Sequence, residues 1–247
     1  MAQQQNVIVI GAYGGIGRAV CEILRTQDAR VALVGRDESK LGPLAEAIGG
    51  LPIVGDATSF TDMSAAFEKA TENFGPLTGV VNCAGSLLLK PAHLTTADEY
   101  AATVAANLTT AFAVCHAAGK LMTGGGSVVL VSTAAARTGI ANHEAIAAAK
   151  AGVQGLMLSA AATYASRGLR FNCVAPGLTR TPLAAQLLAN EASEKASLAM
   201  HALGRLGDPG DVARAVCWFL DPANDWVTGQ VLGVDGGLAN VRTRPKV

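Results

Sequence analysis

Lys150 lies four residues after Ile146 and seven after His143, so on a helix the three fall along one face. A lysine there is a charged donor, and an imidazole one turn before position 146 is a competent proton donor near neutral pH. His143-Glu144 is not the start of a zinc-protease motif, because Ala147 stands where His-Glu-x-x-His needs its second histidine. Asn107 falls inside a long helical pattern, where asparagine is unfavourable by propensity; it either hydrogen-bonds within the core or serves a site. Ser132-Thr133 ends an apolar run, and hydroxyls at that edge of a sheet would face a pocket.

A second group of residues is suited to holding an anion. In the stretch from Asn6 to Gly17, a run of β-branched residues leads into Gly11, Gly14, Gly15 and Gly17. These glycines remove side chains where a backbone bends tightly, approaches a pyrophosphate and lets a helix pack on a strand. The helix that follows would present its N-terminal amides and dipole to phosphate. The next apolar run, Arg30 to Val34, ends in Gly35-Arg36-Asp37. No acidic side chain stands at position 35 to bind a ribose, and Arg36 either holds a 2′-phosphate or is a solvated loop charge. Asp37 is placed to cap the next helix. Asp56, after Leu51–Val54, either accepts from an adenine amino group or caps a helix. Asn82-Cys83-Ala84-Gly85 puts small residues after another strand, with an amide able to stabilise the turn.

The elements that must position these residues alternate strand and helix. Strands are predicted at Val7–Ile10, Arg30–Val34, Leu51–Val54, Leu77–Val81 and Val128–Val131, with helices at about 16–25, 59–74, 95–121 and 142–166. That alternation is the pattern of a doubly wound parallel α/β sheet, whose ligands bind beyond the carboxyl ends of the strands. The 19 basic and 19 acidic residues balance, which argues against nucleic acid or an anionic membrane as partner and for a small molecule or another protein. Five scattered cysteines without a Cys-x-x-Cys pair read as core residues in a reducing compartment, with no metal site. The N-terminal residues show no signal peptide, so a cytoplasmic location is expected. Ala101 to Gly119 contains no Asp, Glu, Lys or Arg, yet its alanines, threonines and Asn107 favour a helix buried between protein surfaces over a membrane span.

Taken together and in order, these residues resemble the short-chain dehydrogenase/reductase family over essentially the whole chain. Gly11-x-x-x-Gly15-x-Gly17, Asn82-Cys83-Ala84-Gly85, Asn107, the run Phe171–Gly177 with Thr179 and Thr181, and Thr228-Gly229-Gln230 through Asp235-Gly236-Gly237 match its motifs. The resemblance implies one domain over residues 1–247, a Rossmann fold with a seven-stranded parallel sheet and helices on both faces. Leu178 to Leu203 should then cover a largely apolar substrate pocket. Cofactor contacts are implied at Gly11, Tyr13, Gly15, Ile16, Gly17 and Arg36, and at Asp56, Ala57, Asn82, Ala84 and Gly85. Further contacts are implied at Lys150, Pro176, Gly177, Thr179 and Thr181.

The family's serine, tyrosine and lysine do not all survive. Lys150 takes the lysine position, Ile146 stands for the tyrosine four residues earlier, and Thr133 stands for the serine thirteen residues before that. Tyr100 and Tyr164 fall at apolar packing positions and do not replace the phenol. Hydride reaching a carbonyl carbon leaves charge on oxygen, and Ile146 has no proton to give. The reading is therefore an oxidoreductase acting on a carbonyl, hydroxyl or polarised double bond, with NADP(H) favoured over NAD(H). Asn107, Thr133, Lys150 and His143 are its candidate catalytic residues. The alternative is a nucleotide-binding partner or regulatory subunit that has lost the chemistry. Two alanine-rich helices, 95–121 and 142–166, would expose apolar surface in a monomer, so a homotetramer packed through them is expected.

Overall fold

The computed structural model describes residues 4–243. Seven parallel strands form one sheet in the order β3-β2-β1-β4-β5-β6-β7: β1 (Asn6–Ile10), β2 (Arg30–Gly35), β3 (Leu51–Val54), β4 (Gly79–Asn82), β5 (Gly126–Val131), β6 (Leu169–Pro176) and β7 (Val231–Val234). The interior strands are rich in valine, isoleucine and leucine because both faces are covered; every residue of β1 is buried. One face carries α1 (Gly15–Thr26), α2 (Glu38–Ile48) and α9 (Pro209–Leu220), and packs Val7, Val9, Val20, Leu24 and Val216 together. The other carries α3 (Phe60–Phe74), α5 (Thr110–Leu121) and α6 (Glu144–Tyr164), and packs Ile8, Phe67, Val114, Val153 and Phe171. Strand order reverses at β1 and β4, which opens a crevice above their carboxyl ends.

Local signals set most helix starts. Asp37 caps α2 by accepting from the Ser39 N–H at 3.1 Å, as expected. Ser59 caps α3, and Thr96 with Glu99 forms a capping box at α4 (Ala97–Val104).

Three expectations need correction. The fourth strand covers Gly79–Asn82 rather than Leu77–Val81, because Gly79 and Asn82 pair with β1 and β5 while Leu77 packs before the strand begins. The helix expected over 95–121 is broken by a π turn at Ala105–Thr109 between α4 and α5. The Asn107 amide donates to the Thr103 carbonyl at 2.9 Å, and the Thr110 hydroxyl donates to the Ala106 carbonyl at 3.0 Å, so side chains compete for the oxygens of the regular ladder. Tyr100 is half exposed on the outer side of α4, whereas Tyr164 packs on Phe171 with ring centroids 5.6 Å apart. The spans Ala97–Leu121 and Glu144–Arg167 are long and apolar enough to cross a bilayer, yet α5 and α6 pack on the sheet.

Residues 178–203 leave β6 and fold over the crevice as α7 (Ala185–Leu188) and α8 (Glu191–Met200).

Candidate active site

The crevice is built first by absences of side chain. Gly11 has φ +74, and a Cβ there would sit 2.7 Å from the Ala84 N; one on Gly15 would sit 2.7 Å from Thr181 Cγ2. A Cβ on Gly17 would press into the Gly11 carbonyl. The turn after β1 is therefore packed at backbone distance against the start of α1 and the exit of β4, and the start of α1 meets the Thr181 side chain beyond β6. Asn82 is buried and holds this arrangement: its Oδ1 accepts from the Ala84 N–H at 3.1 Å and its amide donates to the Thr110 hydroxyl at 3.3 Å.

Above the cradle lie two cavities that share the wall Cys83–Leu87. The first, about 670 Å³, is lined by Gly11, Tyr13, Arg36, Asp56, Ala57, Ala84 and Gly85 among others. Asp56 accepts from the Thr58 N–H and hydroxyl, both at 2.8 Å, and these bonds, with Arg36 contributing least, hold its carboxyl below the usual range. The Tyr13 ring lies against Gly35. Beyond it an open basin is lined by Tyr13, Arg36, Asp37, Glu38, Ser39 and Lys40, with the Lys40 ammonium 5.8 Å from the Tyr13 ring centre and 3.1 Å from Asp37. Lys40 and Ser39 were not singled out from the sequence. Their signal was position: they follow the Asp37 cap on the first turn of α2, beside Arg36.

The second cavity, about 270 Å³, brings together Asn107, Thr133, His143, Ile146 and Lys150 from three separate elements. Ile16, Pro176, Gly177, Thr179 and Thr181 also line it. Its remaining walls are largely apolar, including Leu89, Ile140 and Leu238, and Leu183, Leu187 and Met200 from the 178–203 segment roof it. Lys150 is buried, donates to the Val131 carbonyl at 2.7 Å, and is pulled down to about 8 by desolvation. A Cβ on Gly85 would stand 2.9 Å from Asn107 Oδ1 and 3.4 Å from Lys150 Nζ, so glycine there keeps both polar groups open to the cavity. Asn107 accepts from the Ser86 N–H at 3.3 Å and donates to the Ser86 hydroxyl at 3.1 Å.

Of the two hydroxyls at the end of β5, Ser132 does not serve a ligand. Its Oγ donates to the Lys150 carbonyl at 3.0 Å and accepts from Gln154 Nε2 at 2.9 Å, which ties α6 to the sheet. The Thr133 Oγ1 accepts from the Ala135 N–H at 3.3 Å and leaves its own proton available. His143 stands at the N-terminus of α6 with Nδ1 2.8 Å from the Ala141 carbonyl. A carbonyl only accepts, so Nδ1 carries the proton and Nε2 is the free nitrogen. Cys83 lines the cavity as well, but burial pushes its thiol up to about 12 and leaves it unreactive at neutral pH.

The sequence matches the family described as Enoyl-(Acyl carrier protein) reductase over residues 11–239. It is 33% identical to 2-(S)-hydroxypropyl-CoM dehydrogenase 3 of Xanthobacter autotrophicus, covering 97% of this chain and 98% of that one. It is also 33% identical to the 3-oxoacyl-[acyl-carrier-protein] reductase FabG of Vibrio cholerae, over 94% and 96% of the two chains. The solved structure of a short-chain type dehydrogenase/reductase from Mycobacterium ulcerans superposes with a TM-score of 0.92 at 31% identity, covering 96% of this chain and 90% of that one. The chain belongs to the short-chain dehydrogenase/reductase family. Members of this family are oxidoreductases that use a nicotinamide cofactor on carbonyl or hydroxyl substrates. The crevice of this member fits such a group: the glycine cradle has no room for a Cβ at positions 11, 15 or 17, and the two joined cavities run from Arg36 to Lys150.

Proposed function

We propose that the protein is an NADP(H)-dependent oxidoreductase that interconverts a carbonyl and a hydroxyl on a small, uncharged, largely apolar molecule. In this reading His143 takes the place of the family's phenol as proton-transfer group. The observation that carries it is the convergence of His143, Thr133, Asn107 and Lys150 on one cavity whose other walls are mostly apolar, with Ile146 between them on α6. When bound, the nicotinamide supplies or accepts the hydride. The protein's part is to orient the substrate and to move a proton. Thr133 donates a hydrogen bond to the substrate oxygen. Lys150 holds ribose hydroxyls and adds positive charge beside them. The imidazolium of His143 gives its Nε2 proton to the oxygen as charge develops there, and takes it back in the reverse direction. Ile146 closes the wall and excludes water.

Preference for NADP(H) rests on Arg36, which lines the basin with Tyr13, Ser39 and Lys40 and is in no ion pair among the described residues, while the Asp37 carboxylate beside it is engaged by Ser39 and Lys40; Glu38 is the basin's second carboxylate. Residues 178–203 act as the substrate cover of a single domain spanning 1–247. Phe112 and Leu158, each about half exposed on α5 and α6, support assembly into a homotetramer through those helices. Light scattering after size exclusion tests the assembly, and a monomer at micromolar concentration would contradict it. The catalytic reading is tested by NADPH oxidation against a panel of small apolar aldehydes and ketones. Turnover with saturable kinetics is expected. Tight NADPH binding without turnover on any carbonyl would return the protein to a cofactor-binding role.

A further inference from the structure

His201 follows α8 at the far end of the 178–203 segment and is buried, with 3% of its surface exposed. Its Nδ1 is 2.7 Å from the Ser197 carbonyl, and its Nε2 is 3.2 Å from the Leu178 N–H. Both partners have fixed roles. The carbonyl only accepts, so Nδ1 must carry the proton; the amide only donates, so Nε2 must offer a lone pair. One neutral tautomer satisfies both bonds, and no other protonation state does.

The ring therefore ties the first residue of the segment to its last helix. It also fills the space between the exits of β6 and β7: a Cβ on Gly177 would stand 2.7 Å from Nε2, and one on Gly236 would stand 3.5 Å from the ring carbon Cδ2. Gly177, Leu178 and Ser197 line the 270 Å³ cavity, while His201 lines a neighbouring cavity of about 470 Å³ with Leu203 and Arg205. The imidazole is thus the partition behind the wall that faces the candidate active site.

We infer that His201 is a positioning residue, a neutral-imidazole clasp that joins the two ends of the substrate cover and holds the Gly177–Thr179 wall. Protonating the ring would set an N–H at Nε2 against the Leu178 N–H and cancel that bond. Nearby charges offer no compensation. Asp235, at the β7 exit, accepts from the Gly237 and Ala239 N–H groups at 2.9 and 3.1 Å. Arg205 is paired with Asp211 at 2.6 Å, and Arg180 with Glu194 at 2.7 Å. None of these side chains bonds the ring. Losing the ring's acceptor should accordingly loosen the cover without disturbing the sheet.

Hydrogen exchange of residues 178–203, followed by mass spectrometry on the full-length protein and normalised to intrinsic rates, tests this without reference to any reaction. Cover peptides of His201→Leu should exchange about tenfold faster than those of the wild type, the loss of one buried hydrogen bond, while peptides from β1 and β4 stay unchanged. His201→Gln, whose Oε1 can accept from Leu178, should keep the slow exchange, and His201→Leu should raise KM by more than it lowers kcat. Cover exchange in His201→Leu equal to that of the wild type, or a His201→Gln variant that exchanges as fast as His201→Leu, would overturn the clasp. Should His201→Leu fail to fold, His201→Asn, whose shorter amide does not reach the Leu178 N–H, takes its place and should exchange fast.

Discussion

The two ends of the crevice are made of different material. At the end that the proposed reading gives to the cofactor's pyrophosphate the walls are largely backbone, and the decisive feature is what is missing: Cβ atoms on Gly11, Gly15 and Gly17 would collide with the Ala84 backbone, the Thr181 side chain and the Gly11 carbonyl. At the reaction end the walls are side chains from the β5 exit, the π turn and α6, each held by its own polar bond. A backbone cradle leaves little freedom for substitution. A ring of side chains can change its members while the sheet beneath it stays the same. That difference accounts for a TM-score of 0.92 to a relative at 31% identity.

The comparison breaks most sharply at His143. On the proposed mechanism His143→Ala should lower kcat by roughly 10²–10⁴-fold and remove one limb of the pH–rate profile, while NADPH affinity stays within about twofold. An unchanged rate and profile would remove the histidine from the chemistry. Ile146→Tyr probes the same corner from the other side. It should restore or raise carbonyl reduction, at a packing cost of roughly 1–3 kcal/mol seen in the melting temperature. A folded, cofactor-binding Ile146→Tyr variant with no gain on any carbonyl would show that the reaction does not need the phenol.

The cradle should fail in the opposite way. Gly17→Ala forces a methyl group onto the Gly11 carbonyl, which should cost roughly 1–3 kcal/mol of stability and, as the cradle shifts, about tenfold or more in NADPH affinity measured by fluorescence titration. Any carbonyl turnover that survives should keep its pH profile. A smaller effect is expected in the basin: Arg36→Ala should weaken NADPH about tenfold and leave NADH untouched, the loss of one charge-assisted hydrogen bond to phosphate. Equal losses for both cofactors would take Arg36 out of the phosphate site, and Lys40→Ala then tests whether the other cation holds it.

How much of this was legible in the sequence follows the same division. The cradle was readable because glycine and β-branched residues mark backbone geometry wherever they occur, and the Asp37 cap and the strand runs other than the fourth agree with it, while the seven strands were implied by the family resemblance. The face shared by His143, Ile146 and Lys150 was readable because a helix has a period. The π turn was not, since it depends on Asn107 and Thr110 reaching back to particular carbonyls. Ser86 with Asn107, and Gln154 with Ser132, are isolated residue pairs across some twenty residues and leave no periodic trace. His201 was overlooked for the same reason: its two partners lie four and twenty-three residues away, on opposite ends of the cover.

The smallest expected effect concerns the cost of keeping Lys150 in the reaction corner. Burial lowers its ammonium from 10.5 to about 8, so between those values the unfolded chain binds a proton that the folded protein has released. Stability must then rise with pH across that window, by at most about 1.4 kcal/mol per pH unit from this group. Below about pH 8 both states are protonated and the full desolvation cost remains. Other groups titrate in the same range, so the measurable quantity is a difference between proteins. Urea unfolding of the cofactor-free wild type and of Lys150→Met, each at pH 7.5, 8.5 and 9.5, should give curves that converge or cross as pH rises, the wild type gaining on the variant. The Met variant should be the more stable at pH 7.5 and the weaker in NADPH binding, because the charge that strains the fold is the charge that serves the site. Parallel pH curves would mean that Lys150 keeps its proton in the folded state through contacts beyond the Val131 carbonyl, and would end the idea that the reaction corner is held at the expense of stability.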